Sequence, residues 1–98
     1  MKYSQFLTEH ARLCVLRTLT ESAGYQSNSS LLRDHLEAYA LHLSADQINA
    51  VLAWLVEQGL VTTEALGSVQ VVTITQRGMD VARGVATMPV VRRPSPGE

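Results

Sequence analysis

A chain of 98 residues, 46% apolar and 17% charged, is sized for one compact domain with a single core and is too apolar for a disordered segment. Its formal net charge of −1 gives no global attraction to nucleic acid, so any such binding has to come from a local basic patch. The longest apolar run, Ala50 to Val56, is far short of the roughly 18 residues of a membrane span. Ser4, Gln5, Thr8 and Glu9 interrupt the apolar stretch a signal peptide requires, which predicts a cytoplasmic protein with no membrane partner.

Tyr3 to Glu21 contains neither proline nor glycine and places Phe6, Leu7, Leu13, Cys14, Leu16 and Leu19 at mostly helical spacings, predicting a first helix that ends before Gly24. Gln26 to Ser30 reads as a polar loop, in which Asn28, Ser29 or Ser30 can cap a second helix. That helix is predicted to end near Leu41 and to bury Leu31, Leu32, Leu36, Tyr39 and Ala40. Ser44 and Gln47 have the spacing of a capping box, and Ile48, Val51, Leu52, Leu55 and Val56 form the apolar stripe of a third helix closed by Gly59. Two helices joined by so short a turn make a helix-turn-helix candidate.

From Leu60 the chain changes to β-favouring residues, Val61 to Thr63 and Val69 to Ile74, with Gly67 and Ser68 suited to a two-residue hairpin turn. Thr75 can cap a last helix carrying Met79, Val81, Ala82, Val85 and Ala86, and Pro89, Pro94 and Pro96 keep the C-terminal residues extended. The expected fold is mainly α with a small β-hairpin: a winged helix-turn-helix domain with an additional C-terminal helix over residues 1–88, then a flexible Pro/Arg-containing tail over 89–98. No internal repeat competes with this order.

The run SADQINAVLAWLVEQGLV, from Ser44 to Val61, resembles the recognition helix and first wing strand of winged-helix regulators of the ArsR and MarR families, and VTITQRGMDVARG resembles their second wing strand and terminal helix. AWLVEQGLVTTE, TQRGMDVARG and RRPSPG together resemble a family of small Mu-like phage and prophage proteins that carry an ArsR-like label. That resemblance covers nearly the whole chain and implies a phage-encoded DNA-binding protein, a transcriptional regulator, in a bacterial cytoplasm.

In such a domain the solvent face of the third helix enters the major groove. At 100° per residue from Ile48, Asp46, Ala50, Ala53 and Glu57 lie opposite the core, flanked by Gln47, Asn49 and Trp54. Gln47 and Asn49 are base-reading candidates for adenine edges, and Ala50 for a thymine methyl. Arg33, Arg77, Arg92 and Arg93 are candidates for the DNA backbone, with solvated charges or pairs such as Arg33 with Glu37 as the ordinary alternative. From Asp34 through Gln76 there is no lysine or arginine, while Asp34, Glu37, Asp46, Glu57 and Glu64 fall in that interval. This lack of phosphate-neutralising groups keeps a second possibility open, a protein-interaction module that docks a host or phage protein on Ala50, Ala53 and Trp54.

Met79, Ala82, Val85 and Ala86 leave more apolar surface than one short helix needs, which predicts a homodimer built on the first and last helices. His10 and Cys14, four apart, make half of a zinc site at most; a closed site needs four ligands, so no metal and no cofactor are expected. The neighbours Leu13, Val15 and Leu16 suggest that Cys14 is buried rather than placed for nucleophilic attack, and neither a serine elbow nor a phosphate loop occurs, so no enzyme activity is expected.

Overall fold

The computed structural model describes residues 3–86 and residue 91. Helix α1 (Tyr3–Glu21) runs into a short helical turn at Ala23–Tyr25, strand β1 (Gln26–Asn28), helix α2 (Ser29–Ala38) and helix α3 (Ala45–Glu57). Strands β2 (Val61–Leu66) and β3 (Val69–Ile74) form the hairpin, and α4 (Gln76–Ala82) comes after it. The three strands make one antiparallel sheet in the order β1-β3-β2. This is the winged helix-turn-helix arrangement, and among the described residues no helix is long and apolar enough to cross a membrane.

The caps lie where the sequence places them. Asn28 accepts the Leu31 N–H at 2.9 Å, and Thr75 accepts the Gly78 N–H at 3.1 Å. Ser44 and Gln47 form a reciprocal capping box, satisfying two donors that would otherwise have no partner at the start of α3. At the other end of α3, Gly59 is left-handed (φ 74°); its N–H donates to Val56 O and the Leu60 N–H to Leu55 O, the Schellman pattern that stops a helix. The same pattern ends α2, with Ala40 N–H on Glu37 O and Leu41 N–H on Leu36 O, but here the left-handed residue (φ 63°) is an alanine.

That alanine gives a stabilising prediction. An L-residue in the left-handed region costs about 1–2 kcal/mol, and glycine returns part of this as unfolded-state entropy, about 0.4–1 kcal/mol. Ala40→Gly is therefore expected to raise stability by about 0.5–1 kcal/mol in urea unfolding, and a loss of stability would show that the turn after α2 is not left-handed at this position.

Strand β1 departs from the expectation of a loop. Gln26, Ser27 and Asn28 pair with Thr73, Val72 and Val71, and Gln26 Nε2 donates to Thr73 Oγ1 at 3.0 Å. Three polar residues carry no strand signal of their own; β3 imposes the extended conformation by presenting its free edge. The hairpin has the expected two-residue turn, with Leu66 opposite Val69 across Gly67 and Ser68.

One core joins all four helices and the sheet, built from Ala11, Val15, Leu16 and Leu19 of α1, Leu32 and Leu36 of α2, Ile48, Leu52 and Leu55 of α3, and Leu60, Val72 and Val81 beyond them. Several side chains expected inside are outside. Leu31 (58% exposed) lies about 100° round α2 from Leu32, and Tyr39 (65%) is already the C-cap, because α2 stops short of Leu41. Val56 (41%) lies about 80° from Ile48, beyond the edge of the buried stripe. Phe6 is also exposed and tilts against the His10 ring.

The surface invoked for a dimer is used within the chain: α4 packs on α1, Ala82 is buried, and Met79 and Ala86 rest partly against the core, leaving Val85 outside. The 88/89 boundary, Arg92 and Arg93 lie outside the described residues. Val91, in the segment expected to be a tail, is buried with the core.

Candidate nucleic-acid interface

Because Ile48, Val51, Leu52 and Leu55 point into the core, α3 leaves Asp46, Gln47, Asn49, Ala50, Ala53 and Glu57 exposed, the face that helical phase predicts. The base-reading candidates are not loose side chains. Gln47 Oε1 accepts the Ser44 N–H at 2.8 Å, which leaves its Nε2 as the group a base could meet. Asn49 Oδ1 accepts from Gln70 Nε2 of β3 at 3.2 Å, a tie between α3 and the wing that no local sequence signal announces. Ala50 presents only its methyl group.

The cations sit around this face rather than on it. Arg33, exposed on α2, donates from Nε to the Leu43 carbonyl at 2.9 Å, bracing the turn into α3 and leaving both Nη groups for another acceptor. Glu37, its expected partner, lies instead 3.6 Å from His42 Nδ1. Arg77 is exposed in the first turn of α4, directly beyond the wing. The hairpin tip is apolar, with Leu66 65% exposed, and the acidic Asp46, Glu57 and Glu64 are carried on α3 and β2.

Trp54 is half-buried, and one face of its ring is covered by Arg12, whose Cζ lies 3.9 Å from the ring centroid. This cation–π contact fastens α3 to α1 and takes up aromatic surface that a partner would otherwise use. Partial burial pulls the Arg12 pKa down, against the opposing field of Glu9. At Cys14 burial pushes the thiol pKa up, with Thr18 and Arg17 acting the other way, which suits packing rather than nucleophilic chemistry. His10 Nδ1 is 2.9 Å from the Phe6 carbonyl, and no group of three or more potential metal ligands occurs among the described residues.

The chain is 44% identical over 93 residues to the uncharacterized protein gp26 of Escherichia phage Mu, an alignment that covers 95% of this chain and 96% of that protein. It belongs to the phage Mu gp26 family. An uncharacterized protein of Haemophilus influenzae is also 44% identical to this gp26-family chain over 78 residues, covering 79% of the chain and 76% of the relative. No family profile matches.

Among solved structures, AbsC, a MarR family transcriptional regulator from Streptomyces coelicolor, superposes with a TM-score of 0.60 at 23% identity. The match covers 76% of the gp26-family chain and 49% of AbsC. The RosR protein of H. salinarum superposes with a TM-score of 0.61 at 19% identity, covering 82% of this chain and 80% of RosR. At these identities the superpositions establish the winged-helix fold and no more. The ArsR-like label stays a resemblance of sequence.

Proposed function

We propose that this gp26-family protein is a phage or prophage regulator that binds double-stranded DNA in the bacterial cytoplasm. Its α3 enters the major groove, and Arg33 and Arg77 contact phosphates on either side. The observation that carries this reading is the exposed face of α3, where Asn49 and Gln47 present amide groups and Ala50 a methyl, held in place by the capping box and by Gln70. Arg92 and Arg93 extend the set of backbone candidates. Two-fold pairing would present two α3 helices to successive grooves, and Phe6 and Val85 are exposed apolar groups on α1 and just beyond α4 that such pairing could cover. No enzymatic step, metal or cofactor belongs to this function.

A second reading has its own observation: the stretch from Asp34 through Gln76 is without lysine or arginine, and Leu66 projects from the wing tip. On that reading Ala50, Ala53, Trp54 and the wing dock a host or phage protein.

Fluorescence anisotropy with the phage's own regulatory duplexes, at low and near-physiological salt, separates the two. Arg33→Ala with Arg77→Ala is expected to weaken all duplexes alike and to reduce the slope of log Kobs against log salt by about 1 per lost phosphate contact. Gln47→Ala with Asn49→Ala is expected to change the preferred sequence instead, by about 1–3 kcal/mol per misread base pair. Light scattering on the same samples reports the stoichiometry. Failure of the wild-type protein to bind any of these duplexes at low salt would overturn the DNA reading and leave the protein-docking one.

A further inference from the structure

Gln70 occupies a position where three elements meet. It comes after Val69 on β3 and stands opposite Ala65 of β2. On its other side β1 has just ended, since Asn28, the partner of Val71, is the cap of α2. The Gln70 backbone N–H therefore has no strand residue to bond on that side, and the Ser29 hydroxyl takes it at 3.0 Å. Ser29 is the first residue of α2 and is buried. The Gln70 side chain reaches in a different direction, to Asn49 Oδ1 on α3. One residue thus ties the wing to both helices of the helix-turn-helix unit.

We propose that Gln70 is a positioning residue that orients the Asn49 carboxamide for base reading, a step that rests on α3 being the DNA-reading helix. A carboxamide has one acceptor and one donor end. With Oδ1 engaged by Gln70 Nε2, Asn49 offers its Nδ2–H groups to the groove. A donor in the major groove meets two acceptors on guanine (O6, N7) and one each on thymine (O4) and adenine (N7, beside the N6 amino donor), and it finds only a donor on cytosine. The bidentate adenine contact needs the acceptor end as well, so the tie to Gln70 disfavours it relative to an unrestrained asparagine.

Substitution at Gln70 gives opposite outcomes according to hydrogen-bonding character. Gln70→Glu provides only an acceptor, so Asn49 turns its Nδ2 toward the wing and its Oδ1 toward the groove, and preference at one base pair moves from guanine or thymine to adenine or cytosine by about fivefold or more. Gln70→Ala releases the carboxamide, and the wild-type preference at that pair collapses with the others unchanged. Ser29→Ala, which cuts the other tie, lowers the melting temperature and leaves base ranking intact. That control separates orientation of Asn49 from simple support of the wing.

The experiment is selection from a randomised duplex library with wild type and the three variants, beside 15N relaxation of the Asn49 side-chain amide in the free proteins. The expected results are an ordered Asn49 amide that becomes mobile in Gln70→Ala, and the base-preference changes above. An Asn49 amide equally ordered in both proteins overturns the positioning role. Base preferences unchanged in both Gln70 variants, with DNA still bound, overturn the link to reading. If the wild-type protein selects no duplex at all, the DNA function fails, and the relaxation measurement alone decides whether Gln70 holds Asn49.

Discussion

Leu52→Ala is expected to lower stability by about 2–5 kcal/mol, the range for deleting a buried leucine side chain in a core that relaxes only in part. Leu52 is fully buried in the middle of α3, within a cluster that includes α1, α2 and β3, so no single neighbour can move to close the gap. In a domain of this size each kcal/mol shifts the melting temperature by roughly 4–8 °C, which makes the change plain in a thermal melt. Val56→Ala is the internal comparison, because Val56 belongs to the same apolar run but is 41% exposed, and its truncation should cost less than about 1 kcal/mol. Equal losses at the two positions would mean that the phase of α3 is wrong, and with it the set of side chains offered to DNA.

The phase of α3 is legible in the sequence because it is a local property: a stripe at helical spacing, a capping box between Ser44 and Gln47, and a glycine where a Schellman stop requires one. The hairpin and the Thr75 cap are local in the same sense. Strand β1 is not legible, since nothing in Gln26, Ser27 and Asn28 favours extension until the edge of β3 is beside them. Helix α2 is shorter than its apolar pattern suggests: Tyr39 and Ala40 fit the pattern, whereas the stop is made by backbone bonds at a left-handed alanine, a residue type that rarely adopts this conformation.

For the interface the division is similar. Which α3 side chains face outward is set by rotation about one axis, but what restrains them is not. The Gln70 contact to Asn49 and the Arg12 contact to Trp54 join distant parts of the chain, and neither residue pair carries a spacing that marks it. The apolar groups of α4 look surplus in the sequence because their partner, the side of α1, lies at the opposite end of the chain. Composition describes the electrostatics correctly, since the acidic α3 and wing are the direct consequence of an interval without lysine or arginine.

Gly78→Ala is expected to be the most damaging of the conservative substitutions, with a loss on the order of 3 kcal/mol. In an ordinary helix the change would stabilise by roughly 1 kcal/mol, since alanine is the better helix former and has less freedom to lose. Gly78 is different because α4 lies directly on the chain leaving α3. A Cβ there would overlap the Leu60 carbonyl oxygen and come within 2.6 Å of Ile74 Cγ1. Ile74 is itself a buried, β-branched core residue, and the Leu60 carbonyl is fixed because it accepts the Thr75 N–H at 3.0 Å and lies 3.0 Å from the Thr75 hydroxyl. Gly59→Ala supplies the comparison in urea unfolding: Gly59 is left-handed with open space around its Cβ position, so its cost is confined to about 1–2 kcal/mol of backbone strain. Gly78→Ala should therefore be the worse of the two, although its helical backbone suits alanine. The reverse order would mean that α4 does not rest on Leu60. Arg77, next to this contact, would then lose the fixed position beside the wing that its proposed role on phosphate requires.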